Sequence, residues 1–254
     1  MTDNPLNLPV GIDGIRMFSG YRLPSLDRAK FFDELGRTFM PGTPAALAEL
    51  GLAAYLPAVL DLEPERALPD EIALIVYASR NVYTTARSTV RGRMYTHSHA
   101  GVFDMARSGG QWPGSIDEPQ QSNDTGQWSW CVFDRDIDWQ RGSTRVLFLG
   151  GEPTNRPLQT ALQEAARHSV QLLTHAAVDQ ALFLSATNYA AIWLHGTQPP
   201  DIDPVAAGFV PPGMQLLRDM NTQVMLMPNL DETFPITGAG AYSFHFVRDL
   251  RFFL

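Results

Sequence analysis

The stretch IALIVYASRNVYTTARSTVRGRMYTHSHAGVFDMAR (residues 72–107) sets the character of this 254-residue chain. It opens on a continuous apolar run, Ile72 to Ala78, with the length and composition of a strand from the middle of a sheet. Ser79 or Asn81 then offers a helix cap. Val82, Ala86, Val90 and Met94 recur every four residues, which predicts a helix from Val82 to about His97.

Working toward the N-terminus, Ile15 to Arg22 reads as a short strand. Ser25 is placed to cap a helix carrying Leu26, Ala29, Phe32 and Leu35, with Pro41 and Gly42 as its stop. Thr43 followed by Pro44 announces a second short helix that Gly51 closes. Leu52 to Leu62 predicts a strand interrupted at Pro57, and the acidic connector 63–71 leads into the central strand.

Toward the C-terminus, Ser108 to Gln127 is rich in Gly, Ser, Gln, Asn and Asp around Trp112, a composition and length expected of a lid or binding loop. Strands follow at Trp128 to Asp134 and Thr144 to Gly150, then a helix from about Pro157 to Ala177. Ala181 to His195 is long enough for two strands or one bent one, Pro199 to Pro212 is a proline-rich connection, and Gln215 to Met220 is expected as a helical turn. Thr222 to Leu226 and Ala241 to Phe253 close the chain as strands.

Two halves, each with strands flanking amphipathic helices, predict an α+β fold of two ferredoxin-like (split βαβ) modules packed sheet to sheet, in the manner of a dimeric α/β barrel. The expected divisions are 1–107 for the N-terminal module, 108–127 for the loop or lid, and 128–254 for the C-terminal module. No repeat of residue identity supports the duplication, which rests on element order alone.

The charge pattern points to one place. Within a chain of formal net charge -8, Arg80, Arg87, Arg91, Arg93 and Arg107 face the single acid Asp104 between Ser79 and Arg107. Clustered cations focus an anionic ligand or mark a contact surface. One short basic patch in an acidic chain does not suit a nucleic-acid binder. The first thirteen residues lack the pattern of a signal peptide, and no eighteen apolar residues run together, so a cytoplasmic chain without a membrane partner is expected. All basic residues but Lys30 are arginine, so Schiff-base chemistry has one poor candidate. Cys131 lies in an aromatic run and reads as a buried thiol.

Several patterns can be set aside. Asp134, Asp136 and Asp138 start like a calcium loop, but Trp139 and Arg145 stand where glycine and glutamate are needed. Gly150-Gly151 precedes a helix without any nucleotide fingerprint. Esterase, zincin, dithiol, Walker and kinase signatures are missing, so no motif implies a cofactor. His168 and His175 share a helical face, and His245 sits on an aromatic strand where it could point into a cavity.

The expected site is therefore built from the basic island. Arg87 and Arg91, four apart on one helix, are expected to clamp an anionic group, because guanidinium forks bind carboxylates in a bidentate way. Tyr95, and Tyr83 on the same helix, offer phenolic hydrogen bonds, and Trp112 a flat contact from the lid. His97 or His99 is the proton-transfer group, with Asp104 to orient it. The corresponding function is acid-base chemistry on an anionic, aromatic or polyketide-like small molecule, of isomerase, cyclase or lyase type. The alternatives are a non-catalytic ligand-binding or assembly protein and a metal-dependent enzyme using the His97/His99 pair, with a homodimer expected in either enzyme or binding form.

Overall fold

The computed structural model describes residues 9–62 and 67–222. Its first sheet is made of β1 (Ile15–Gly20), β2 (Leu52–Val59), β3 (Glu71–Tyr77) and β4 (Gly109–Gln111), in the order β2-β3-β1-β4, and every neighbouring pair is antiparallel. Between β1 and β2 lie α1 (Arg28–Glu34) and α2 (Met40–Leu47). Between β3 and β4 lie α3 (Arg80–Ser88) and α4 (Val90–Ser98).

Local chemistry explains where these elements depart from the sequence reading. Asp27, not Ser25, caps α1, its carboxylate accepting from the Lys30 backbone N–H. Pro41 and Gly42 do not stop the helix. A π-turn over Leu35–Phe39 carries the chain onward and leaves Pro41 in the first turn of α2, where a missing N–H costs nothing. Gly51 does close the segment, at φ 96°. Pro57 does not interrupt β2, because β2 is an edge strand and an edge tolerates one absent donor.

The predicted helix Val82 to His97 is two helices. Thr89, at φ -68° and ψ 161°, ends α3 and caps α4: its hydroxyl donates to the Ala86 carbonyl at 2.7 Å and accepts from the Gly92 N–H at 3.0 Å. The four-residue apolar repeat is consequently not one buried stripe. Ala86 is buried, whereas Val90 and Met94 are 65% and 37% exposed.

The second sheet contains β5 (Gly114–Ser115), β6 (Gln120–Gln121), β7 (Trp128–Cys131), β8 (Ser143–Gly151), β9 (Val178–Ser185), β10 (Tyr189–Gly196) and β11 (Met214–Thr222). Its order is β11-β8-β10-β9-β7-β5, with β6 also on β7. The helical segment after β8 breaks at Ser169 into α5 (Leu158–His168) and α6 (Val170–His175). Ala181 to His195 resolves into the β9–β10 hairpin. The helical turn expected at Gln215 to Met220 is instead strand β11, paired with β8 along its length around a bulge at Leu216/Arg218. Of the two closing strands predicted after it, only Thr222 falls among the described residues; Ala241 to Phe253 and His245 lie outside them. The 108–127 segment carries β4, β5 and β6, so it is woven into both sheets rather than free of them.

The two sheets face each other. Strand alternation sends Ile15, Met17, Ile72, Leu74 and Val76 from the first sheet, and Val146, Phe148, Leu182, Leu184, Ala191 and Trp193 from the second, into one buried cluster. The opposite faces pack under helices, Phe18, Ala73 and Tyr77 against α1–α4, and Leu147, Phe183 and Ile192 against α5–α6. The layers are thus helix, sheet, sheet, helix. At one corner the edge strands are tied: Thr222 Oγ1 donates to the Pro57 carbonyl at 2.8 Å, and Arg218 Nε to the Leu60 carbonyl at 2.9 Å. Among the described residues no helix is long and apolar enough to cross a membrane.

Candidate functional site

Beneath α3 and α4, on the helix-covered face of the first sheet, lies a pocket of about 80 Å³. β1 supplies Arg16 and Phe18, β3 Tyr77, α2 Thr43, α3 Tyr83 and Arg87, and α4 Tyr95, with His99 in the turn that follows. Two glycines create the room. A Cβ at Gly110 would collide with the Arg16 guanidinium, and one at Gly92 would collide with the Ala86 carbonyl where α4 crosses α3. The exposed Met105 and Arg87 stand at its mouth.

Charge distinguishes this pocket. Arg16 Nη2 donates to the Gly110 carbonyl at 3.0 Å, and its guanidinium lies 5.1 Å from the Tyr83 ring centre. Arg87 approaches the same ring at 5.6 Å, and its Nη1 donates to the Tyr83 hydroxyl at 2.8 Å. Among the described residues neither guanidinium is ion-paired, although ion pairs neutralise Arg28, Arg37, Arg91, Arg145 and Arg156 elsewhere. Burial, reinforced by the nearby Arg87, lowers the pKa of Arg16, the expected sign for a cation drawn away from water beside a second cation.

His99 is the titratable group set among them. Its ring is packed by Phe39 at 4.5 Å and Tyr95 at 4.8 Å, with Phe18 and Phe103 at 6.1 and 5.9 Å. Burial, with repulsion from Arg16 and Arg87, brings its pKa down to about 4, so the imidazole is neutral at physiological pH. Nδ1 lies 3.0 Å from the Tyr95 carbonyl, which can only accept, so Nδ1 carries the proton and Nε2 the lone pair. A neutral imidazole with a free Nε2 lone pair beside two cations can take a proton from a carbon acid once the bound anion offsets the cations' repulsion, which otherwise weakens Nε2 as a base.

The residues singled out from sequence are dispersed. Arg87, Tyr95 and His99 line the pocket. Trp112 stands at its flank, edge-on to Tyr83 at 5.2 Å, with Arg80 over its own ring at 5.3 Å. Arg91 does not converge with Arg87: the break at Thr89 puts them on different helices, and Arg91 Nη1 is paired with Glu49 at 2.6 Å. His97 is exposed on α4 while His99 turns inward, so the pair does not share one site, and among the described residues no group of three His, Cys, Asp or Glu could hold a metal. Asp104 does not orient either histidine. Its carboxylate accepts from the Ala106 N–H at 3.1 Å and its backbone N–H donates to the Tyr21 carbonyl at 2.8 Å, a turn-forming role. Cys131 is buried, its thiol pushed up to about 12 by burial first and Asp134 second.

Sequence reasoning missed Arg16, Thr43 and Tyr77. Arg16 was legible: it is the one charged residue in an apolar strand, at a position whose side chain faces the same way as Phe18. Thr43, taken for a cap, instead faces inward from a helix that began earlier.

Two wider depressions have less to offer. One of about 770 Å³ runs between α5, α6 and residues 206–212, and its cation Arg156 is already paired with Glu164. One of about 360 Å³ lies at the inter-sheet mouth, where Arg107 covers the Tyr21 ring at 4.1 Å and Asp124 shares the lining.

No family model matches this sequence, and no curated protein matches it. Among solved structures, the chain is similar to an anthrone oxidase-like protein at 11% identity, covering 83% of this chain and 90% of that one, with a TM-score of 0.38. It is also similar to a proposed monooxygenase from Fusobacterium nucleatum subsp. nucleatum at 7% identity, covering 92% and 97%, with a TM-score of 0.39.

Proposed function

We propose that this chain is a small-molecule enzyme in which Arg16 and Arg87 hold the anionic group of a small aromatic or polyketide-like substrate and His99 Nε2 transfers a proton. The reaction class is isomerase, cyclase or lyase. The observation that carries this reading is two guanidiniums and a neutral imidazole lining one pocket, with no carboxylate from the described residues to neutralise the cations. For Arg16, drawn away from water without an ionic partner, an anionic ligand would offset the cost of burial as it binds. Substrate and charged intermediate would both be stabilised, and the intermediate more strongly, because charge develops next to fixed donors.

The test is binding of benzoate, whose carboxylate suits the closed end and whose ring suits the mouth between Tyr83 and Met105. Arg16→Gln or Arg87→Gln should each weaken binding about tenfold or more, an effect of the size of one lost charge-assisted hydrogen bond. His99→Gln should leave benzoate affinity within about threefold while abolishing turnover of an enolisable aromatic keto acid. Equal benzoate affinity in wild type and both arginine variants would defeat the assignment.

The non-catalytic alternative has one observation in its favour: a volume of about 80 Å³ is below that of ordinary ligand pockets, so a carboxylate-sized group fills it. A protein that binds the probe but turns over no keto acid would be that module. The strand orders β4-β1-β3-β2 and β11-β8-β10-β9 are the same pattern, which supports reading two ferredoxin-like modules, divided within the 108–127 segment. Because the sheet faces are used within one chain, our proposed homodimer would form through outer surfaces, and sedimentation measures it.

A further inference from the structure

Glu71, at the start of β3, is 1% exposed, and among the described residues no cation is paired with it. Its Oε1 accepts from the Tyr55 hydroxyl of β2 at 2.7 Å. The Tyr55 phenol in turn neighbours the Thr43 side chain on α2, whose hydroxyl is bonded in this structure to Phe39 and Tyr95. Thr43 Oγ1 is 2.6 Å from the Tyr95 hydroxyl of α4 and donates to the Phe39 carbonyl at 2.9 Å. Thr43 and Tyr95 both line the pocket beneath α3 and α4, whereas Glu71 and Tyr55 do not. A chain of hydroxyls therefore leads from the pocket wall to a carboxyl buried behind it.

We propose that Glu71 is a proton store for this pocket, loaded and unloaded through Tyr95, Thr43 and Tyr55. The inference rests on the pocket reading above and adds where its proton resides. When Tyr95 receives a proton on the pocket side, its own phenolic proton passes to Thr43. The Thr43 hydroxyl rotates from the Phe39 carbonyl toward Tyr55 and passes its proton on, and Tyr55 gives its own to Glu71 Oε1. Each hydroxyl ends with the number of protons it began with, the carboxylate becomes a carboxylic acid, and no electron moves. The reverse sequence returns the proton, as an isomerisation requires.

Two physical facts support a functional reading over a packing one. A buried carboxylate without a cation is expensive, and a glutamine would give Tyr55 the same acceptor without that expense. The groups facing Glu71 are the phenols of Tyr55 and Tyr95, and burial, partly offset by the Tyr55 hydrogen bond, brings the Glu71 carboxyl up to about 7. The store is thus balanced between its two states near neutrality, so a negative charge arriving in the pocket would favour loading it.

Calorimetry of benzoate binding in buffers of differing ionisation enthalpy counts the protons. Wild type is expected to take up about half a proton at pH 7 and close to one near pH 8, with affinity falling about tenfold per pH unit above pH 7. Glu71→Gln should bind benzoate with uptake lost and affinity level between about pH 6 and 8. Unchanged uptake in Glu71→Gln would overturn the proposal. Thr43→Val should leave the total uptake intact and slow it about tenfold or more in a stopped-flow indicator measurement, and an unchanged rate would overturn the route. If wild type binds no benzoate, the pocket reading falls separately. Infrared spectra then decide the store by itself: a carboxylic acid band that titrates across neutrality and is missing from Glu71→Gln supports it, and no such band in wild type ends it.

Discussion

Glu71, fully buried, and His99, partly buried, both lie near Tyr95 and are displaced in opposite directions, and their effects on stability oppose each other. The folded pKa of Glu71, about 7, exceeds the ordinary value of 4.5, so the folded state holds an extra proton between them; stability from this group is full below 4.5 and is lost as pH rises toward 7. The folded pKa of His99, about 4, is below the ordinary 6.5, so its contribution is present above 6.5 and is lost as pH falls toward 4. Each amounts to roughly 3 kcal/mol at about 1.4 kcal/mol per unit, and across the shared window they nearly cancel. Urea unfolding from pH 4.5 to 7 should therefore show a shallow slope in wild type, a rising one in Glu71→Gln and a falling one in His99→Gln. Parallel slopes in all three proteins would show that neither group is displaced as described. Both residues were visible in the sequence, His99 as part of an H-x-H and Glu71 as the acid ahead of an apolar run, but nothing there told which histidine faced inward.

At the scale of elements, the crossing of α3 and α4 decides the pocket. Thr89 serves both helices, and removing its hydroxyl in Thr89→Ala should cost about 1–2 kcal/mol, the usual worth of an N-cap. Gly92→Ala is the more telling change. Its methyl would meet the Ala86 backbone carbonyl, which cannot swing aside, so α4 must move off α3, at a cost of about 1–3 kcal/mol. Because Arg87 rides on α3 and Tyr95 on α4, the same substitution should weaken benzoate binding by more than Thr89→Ala does; equal affinities in the two variants would show that the crossing does not set the pocket. The apolar repeat Val82, Ala86, Val90, Met94 concealed this break, since an uninterrupted helix has the same spacing. The pair Thr89 and Gly92, a capping residue three positions before a glycine, was the signal that could have exposed it.

Over the whole molecule, the shared inter-sheet core makes the two halves one unit. Trp193 from the second sheet lies fully buried in the cluster that Met17, Leu74 and Val76 of the first complete. Unfolding followed by tryptophan fluorescence and by far-ultraviolet circular dichroism should accordingly give coincident transitions. Phe148→Ala should lower the midpoint of both together, at about 3–5 kcal/mol. Separated transitions would mean that the sheets fold independently. The α+β class was read correctly from element order, but the expectation of Gln215 to Met220 as a helical turn failed because β11 gains its order from hydrogen bonds to β8, which no local pattern encodes.

The amino-acid sequence alone determined the strands whose hydrophobic runs leave no other choice, the helices that follow them, and the stretch of chain in which the cations are concentrated. It did so because burial periodicity and capping act over a few residues. Only the tertiary structure decided which cations share a pocket: Arg16, more than sixty residues from the basic island, displaces Arg91 as the partner of Arg87, and Glu71 accepts from Tyr55 behind that pocket. Contacts between residues far apart in the chain depend on how sheets and helices stack, and that stacking is set by the sum of many weak contacts rather than by any motif.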